Sequence, residues 1–370
     1  DRLNPVALNN DQFRYESNRL VTYYDPIGKK QTYGYPFYLD TTIMVYNQPI
    51  FDNYQVDVST DTPWSWNLFD YVIRKVTNLT NPNSGIYGTM LAGMMSFEAY
   101  FYGNGSHLFN NYLVDSSHIE GDSDHALGVF NFINKLMHTY EVMPDWENQG
   151  TLGTVMDLVN QSRVSTVFQP VSLVYPLLNE TFVGKAGDLA VMETPENGGA
   201  LHGQAFLLHA ALEEAVKEDL INFCNFMTSS DVQLSLATNG YVAPTLKETY
   251  SLSEFNDDPV LKTIKKAIDR AYQKPISLYM HDIEETFQNQ VFQFLQGDRS
   301  PEQLQTAISI LFKQILPETA INDGLPPEEQ PITESTTEKK SGFIGLDYWV
   351  IIVGIMIMGI LTHQYKEKRK

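Results

Sequence analysis

The spacing of apolar residues predicts helices along much of the chain. Apolar positions three or four residues apart form one face of a helix, and Trp66, Phe69, Val72 and Ile73 follow that spacing after a turn. The same periodicity predicts helices over 122–139, 211–228, 259–273 and 280–296. In the second of these, the predicted buried stripe consists of Leu212, Val216, Leu220, Phe223 and Met227.

Capping residues predict where two further helices begin. Ser300 is followed by Pro301 and Gln303, which is the pattern of a capping box with proline in the first turn. Ser230 with Gln233 predicts another capping box, for a helix that ends at Gly240. We expect the acidic residues 122–124 to cap the helix over 122–139, because the glycine and distal glutamate of a calcium loop are absent.

Strands are predicted from runs of β-branched and aromatic residues. The longest run covers 32–47, and shorter ones cover 164–168, 188–192 and 204–209. Helices interspersed with short strands are typical of an α/β protein.

The C-terminal end predicts a membrane anchor. Residues 344–362 are apolar, and a helix of that length spans about 28 Å, close to the roughly 30 Å of a bilayer core. Tyr348 and Trp349 fit its interface, and the basic tail 364–370 predicts a cytoplasmic C-terminus. We therefore expect a transmembrane helix over 343–363 and a body that faces outward.

The segment 317–342 is rich in Pro, Glu, Ser and Thr, so we predict a disordered stalk. No signal peptide is recognisable at the N-terminus, which predicts a processed precursor or a fragment. Four sequons begin at Asn78, Asn104, Asn160 and Asn179, and an outward location permits their glycosylation. An anchor without a disulfide suggests an archaeal cell surface.

Composition excludes several classes of function. The net charge of −20 disfavours nucleic acid as a partner, because an acidic body repels phosphate backbones. The one cysteine, Cys224, excludes an intramolecular disulfide, a zinc ribbon and a CxxC redox centre. We expect Cys224 to be a small buried residue of a helix.

No catalytic motif is present: the sequence contains no GxSxG elbow, no HExxH pair and no phosphate-binding loop. We therefore predict no enzymatic activity, no cofactor and no metal. A glycosidase-like pair of carboxylates among the 45 acidic residues is the enzymatic alternative.

The order of motifs resembles the family of extracellular solute-binding proteins that includes maltose-binding protein. GYPFYLDTTIMVYN is similar to the first crossover strand of that family, and TPWSWNLFDYV to the following turn and helix. ENGGALHGQAFLLHA resembles the return to the first lobe, and FLQGDRSPEQLQTAISILFKQIL the closing helix. The resemblance covers residues 25–316.

This resemblance implies a type II periplasmic-binding-protein fold, with two α/β lobes joined by hinge strands and part of lobe 1 missing. The implied division is a lobe 1 remnant with the first hinge strand over 1–43, lobe 2 over 44–190, a lobe 1 return over 191–250 and closing helices against lobe 2 over 251–316.

The resemblance also implies where a ligand binds. Asp40, flanked by Tyr38 and Thr41, falls where related receptors hold sugar hydroxyls, although a hinge-turn role fits it equally. The further candidate ligand residues are Phe97, Tyr102, Tyr175, His202, Gln204, Tyr279 and His281. Core packing is the alternative for Phe97 and Tyr102, and a plain surface position for His202. The family's stacking tryptophan is replaced by Val171, which argues against a long oligosaccharide.

The expected function is that of a monomeric, membrane-anchored receptor of an ABC importer. It would capture a small solute, most simply a sugar, between its lobes and deliver it to permease subunits. The alternatives are a cationic or peptide solute, and an anchored surface or adhesion protein of the same fold.

Overall fold

The computed structural model describes residues 10–14, 17–18, 20–24, 30–58, 63–80, 85–110, 114–145, 152–178, 188–196, 198–209, 211–240, 242–275, 277 and 279–318. The chain divides into two compact units, Asp1–Thr333 and Glu334–Lys370, and the described residues all lie in the first.

The described strands form three small antiparallel sheets. Strands β1 (Thr22–Tyr24) and β2 (Lys30–Thr32) form a hairpin. Strand β3 (Gly34–Asp40) pairs with β7 (His202–Leu207), and β4 (Thr42–Asn47) lies between β5 (Thr166–Pro170) and β6 (Leu189–Met192). The predicted strand over 32–47 is thus two strands in two sheets, because the chain leaves one sheet at Thr41 and enters the other.

The described helices surround these sheets. They are α1 (Gln48–Asn53), α2 (Trp66–Val76), α3 (Met94–Gly103), α4 (Asp124–His138), α5 (Leu152–Asn160), α6 (Val171–Leu178), α7 (Glu214–Met227), α8 (Ser230–Gly240), α9 (Ser253–Asp257), α10 (Pro259–Arg270), α11 (Met280–Leu295) and α12 (Pro301–Ile315). Short 3-10 helices cover Asn10–Gln12 and Glu248–Ser251.

Strand β4 is buried on both faces and separates two hydrophobic cores. Met44 and Tyr46 point into a core rich in aromatic rings, which α2, α3, α4, α11 and α12 complete. Ile43 and Val45 point into an aliphatic core that includes residues of α6 and α10. Because side chains alternate along a strand, this one strand contributes to both cores. Both of its faces are therefore apolar, which explains the continuous run of apolar residues in its sequence.

The crossing between the sheets is held by three chain segments side by side. The hydroxyl of Thr41 donates to the backbone oxygen of Ala200 at 2.9 Å, and the amide of Val171 donates to the oxygen of Thr41 at 2.8 Å. The amide of Leu201 donates to the oxygen of Tyr272 at 2.8 Å. We call Thr41, residues 199–201 and residues 271–272 the hinge.

Most helix predictions are confirmed. Ser300 and Gln303 form the capping box of α12. The hydroxyl of Ser123 accepts from the amide of Ala126 at the start of α4, as the capping interpretation of this acidic segment predicts. Cys224 is buried in α7, and burial raises the pKa of its thiol to about 11.

The predicted stripe of the helix over 211–228 is wrong in part. Helix α7 begins at Glu214, and Val216 and Phe223 are 45% and 47% exposed. The helix packs on β3 and α8, and its buried residues are Cys224 and Met227, whereas Leu212 and Leu220 of the predicted stripe are only partly buried. Helix α3 was not predicted, since its sequence MMSFEAYFYG is apolar on nearly all sides and so has no amphipathic period.

The predicted capping box of Ser230 and Gln233 is also wrong. The side chain of Gln233 is buried, and its Nε2 donates to the backbone oxygens of Phe37 and Met227 at 2.8 and 3.1 Å. Its Oε1 accepts from the amide of Thr245 at 2.9 Å. The amide group therefore joins β3, the end of α7 and the segment that follows α8.

The first two residues of the predicted stalk lie within the described structure. The backbone oxygens of Pro317 and Glu318 accept hydrogen bonds from Ser116 and Ser117, so these two residues belong to the folded body. The rest of the predicted stalk, the anchor over 343–363 and the basic tail lie outside the described residues. Among the helices that the structure describes, none has the length and apolar character needed to cross a bilayer.

Replacement of Gln233 by alanine is expected to destabilise the fold by at least about 2 kcal/mol, because it leaves several buried backbone groups without a partner. Chemical denaturation of the purified chain measures this loss. Gln288→Ala, at an exposed position of α11, is the matched control. Equal stabilities of the two variants would show that Gln233 does not join these segments.

Candidate functional site

The hinge brings polar side chains of both sheets together. His202 begins β7 opposite Asp40, and Gln204 lies opposite Tyr38. Residues two apart on a strand share a face, so Tyr38, Asp40, His202 and Gln204 form one polar patch at the end of this sheet.

Asp40 is a buried carboxylate with a dedicated partner. The hydroxyl and the amide of Ser172, in the first turn of α6, donate to its two oxygens at 2.5 and 3.3 Å. Burial raises the pKa of Asp40, although the Ser172 hydrogen bonds and His202 oppose the rise. Its hydrogen bonds to α6 across the crossing support a hinge role in this arrangement.

Four charged or titratable side chains meet beside the hinge, and we call Glu98, His202, Lys274 and Glu284 the crossover cluster. Nε2 of His202 lies 2.5 Å from Oε2 of Glu98, and Nζ of Lys274 donates to Oε1 of Glu98 at 2.8 Å. Lys274 also pairs with Glu284 at 3.0 Å. The cluster joins β7, α3, α11 and the segment after α10.

The electrostatic balance of the cluster is set by Lys274. Burial alone would raise the pKa of Glu98, but the ammonium of Lys274 and then His202 outweigh burial and lower the pKa to about 2. Burial likewise lowers the pKa of Lys274, and the carboxylates of Glu98 and Glu284 reverse that effect and raise it. These opposed shifts describe a buried ion pair in which each charge stabilises the other.

Three aromatic rings lie next to the cluster. The ring of Tyr272 stacks on Tyr102 with centroids 4.8 Å apart, and the centroid of His107, tilted by 30°, lies 4.4 Å from that of Tyr272. Tyr102 is only 2% exposed, and burial followed by the charge of Glu98 raises its pKa well above the usual value.

Some of the predicted ligand residues are buried and packed against other parts of the protein. Phe97 is fully buried among Phe101, Phe130 and Phe287, so its ring offers no surface to a ligand. Thr41 is buried and its hydroxyl is used in the hinge. For Phe97 and Tyr102 the core alternative fits the structure better than ligand contact.

Other predicted residues keep accessible surface near the hinge. The side chain of His202 is 31% exposed, and Gln204 is exposed on β7. Tyr175 is half-buried one turn beyond Ser172 on the same face of α6, and Tyr279 is half-buried just before α11. His281 is exposed in the first turn of α11, and no described contact joins it to the crossover cluster.

Sequence reasoning missed Ser172, Glu98, Tyr272, Lys274 and Glu284. None of them stands in a recognisable motif, and a lysine in RAYQKP reads as an ordinary surface residue. The only usable signal was Glu98, a lone charge in the otherwise apolar segment MMSFEAYFYG, because an isolated buried charge needs a partner.

The predicted sequons differ in accessibility. Asn78 and Asn160 are exposed and Asn104 is half-buried, whereas Asn179 lies outside the described residues. No group of three metal-ligating side chains occurs in the part of the chain that the structure describes.

Solved structures with the same architecture identify the fold. Maltose-bound MalE3 of T. maritima superposes with a TM-score of 0.72 at 19% identity, over 85% of this chain and 81% of that one. An ABC transporter solute-binding protein of Thermotoga lettingae bound with alpha-D-tagatose gives 0.70 at 21% identity, over 85% and 81%. UgpB of Mycobacterium tuberculosis in complex with glycerophosphocholine gives 0.70 at 11%, over 85% and 79%. At these identities the likeness establishes the fold, which is the two-lobed fold of periplasmic binding proteins.

The sequence itself shows to which family the chain belongs. Residues 6–263 match the family described as bacterial extracellular solute-binding protein, and no curated protein matches the chain. This protein therefore belongs to the extracellular solute-binding proteins of ABC transporters, which bind substrates and are not enzymes.

The paired state of Glu98 predicts a pH-dependent stability. Because the folded pKa of about 2 is below the ordinary 4.5, the contribution of Glu98 is complete above pH 4.5 and is lost as the pH falls from there towards 2. We expect Glu98→Gln to lower the free energy of unfolding by an amount on the order of 2–3 kcal/mol at neutral pH.

Denaturant titrations at several pH values measure this difference, which should shrink across the window from pH 4.5 to 2. Glu285→Gln, at an exposed position of α11, controls for the loss of one carboxylate. A stability difference for Glu98→Gln that stays constant on acidification would contradict the ion pair.

Proposed function

We propose that this protein is the substrate-binding subunit of an ABC importer that captures a mono- or short oligosaccharide between its lobes. The observation that carries the proposal is the meeting, at one hinge, of polar groups from β3 and β7 with polar groups of α3, α6 and α11. A solute that contacts both sides favours the closed arrangement.

Sugar chemistry suits the accessible side chains around the hinge. Tyr175 and Tyr279 are half-buried rings on which the apolar face of a sugar can stack, while His202 and Gln204 supply hydrogen-bonding groups. Asp40 stands directly opposite His202 in the strand register, where its carboxylate would accept sugar hydroxyls once the lobes separate. MalE3 binds maltose and the Thermotoga lettingae protein binds alpha-D-tagatose, which supports the same class of solute here.

Delivery and attachment complete the proposed function. The closed receptor would dock as a monomer on permease subunits and release its solute to them. A C-terminal anchor over 343–363 would hold it at the outer surface, with residues 319–342 as a tether that raises its concentration near the transporter.

A cationic solute is the second candidate, because the hinge region is acidic. Three carboxylates lie in the described site: Glu98 and Glu284 share the ammonium of Lys274, whereas Asp40 is bound by Ser172. UgpB, whose fold is similar, binds glycerophosphocholine, which contains a quaternary ammonium group. A cleft that keeps an unneutralised carboxylate would select such a cation.

Isothermal titration calorimetry of the purified chain against mono- and disaccharides tests the proposal, with choline and polyamines in the same series. We expect binding of at least one sugar and at least about a fivefold loss of its affinity in Tyr279→Ala, because one stacking ring is worth about 1–3 kcal/mol.

Tyr71→Ala is the matched control, since Tyr71 is 58% exposed on α2 and outside the proposed site. Heat from the cations alone would establish the second candidate. An absence of heat with every sugar would defeat the proposal.

A further inference from the structure

One contact of the crossover cluster spans the hinge. His202 belongs to the β3–β7 sheet, whereas Glu98 belongs to α3, which packs on β4, β5 and α4. The 2.5 Å contact between their side chains therefore joins the two sides of the crossing.

Glu98, which accepts the hydrogen bond in this contact, is held in place by other residues on its own side. Lys274 binds the other oxygen of Glu98, and Glu284 of α11 binds the same ammonium. Glu284 and Glu98 both lie in helices that complete the aromatic core. Glu98 is thus oriented from its own side and presents its second oxygen to the imidazole.

The surroundings of the imidazole favour a hydrogen-bond donor at that position. Asp40 on β3 faces His202 from its own sheet, and Glu98 faces it from α3. Lys274, the cation of the cluster, is already shared between two carboxylates. Tyr102 lies beside Glu98 and Glu284 on the same side of the hinge.

We propose that the contact between His202 and Glu98 is a latch that favours the closed arrangement of the lobes over the open one. This inference rests on the proposed closure mechanism and adds a residue pair that sets the balance between the two arrangements. Opening would remove one partner of a nearly buried carboxylate, so the latch raises the closed-to-open ratio by about tenfold or more.

Electron-electron distance measurements on the solute-free chain test the latch. Spin labels at Asn67 of α2 and Glu218 of α7, both exposed, report the separation of the two sides in a Cys224→Ser background. We expect one short-distance population for the parent chain, and growth of a longer-distance population in Glu98→Gln and in His202→Gln.

The double variant separates a latch from general destabilisation. If both residues act through one contact, the combined substitution shifts the populations no further than either single one. His138→Gln and Glu285→Gln, both exposed and neither a member of the cluster, should leave the distances unchanged. His202→Gln retains a polar side chain at a partly exposed position, so it provides the test if Glu98→Gln fails to fold.

Unchanged distances in His202→Gln would overturn the latch, and so would additive effects in the double variant. The readout needs no solute, so it is independent of the calorimetry. Failure to bind any sugar would defeat the proposed function while leaving the latch intact. Unchanged distances would defeat the latch while leaving the proposed function intact.

Discussion

The crossing at Thr41 is the constraint on which the rest of the structure depends. A single residue separates β3 from β4, and its hydroxyl and carbonyl are both used to hold neighbouring segments. The hydroxyl of Thr41 binds the backbone of Ala200, and a backbone hydrogen bond joins Leu201 to Tyr272, so the three hinge segments lie side by side. Polar side chains that end a strand or begin a helix beside these segments, such as those of Asp40 and Ser172, are thereby brought together.

The chemistry at the hinge follows from burial. Glu98 and Asp40 are both nearly inaccessible carboxylates, but their partners differ: Lys274 and His202 lower the pKa of Glu98, whereas the hydrogen bonds from Ser172 leave the pKa of Asp40 raised. One carboxylate is therefore part of a structural ion pair, and the other is held by the hydroxyl and the amide of Ser172.

The candidate site was predictable only in its location. The resemblance placed Asp40, His202 and Gln204 at the hinge, and the strand register puts them on one face. It also suggested Phe97 and Tyr102, which are buried because α3 is apolar around its whole circumference and is enclosed on all sides. Lys274 and Glu284 were missed, since they pair with each other across ten positions of the sequence and only the approach of α3 brings Glu98 to the same lysine.

The sequence by itself determined the features that depend only on neighbouring residues. The helices with an apolar stripe, the capping box of α12 and the cap of α4 follow from residues within one or two turns, and the family follows from the order of its motifs. The tertiary structure decided the rest. Gln233 joins three distant backbone segments instead of capping its own helix, and Glu98 is charged because residues 104 and 176 positions away provide its partners. Contacts between remote segments have no period along the chain, so no pattern in the sequence could reveal them.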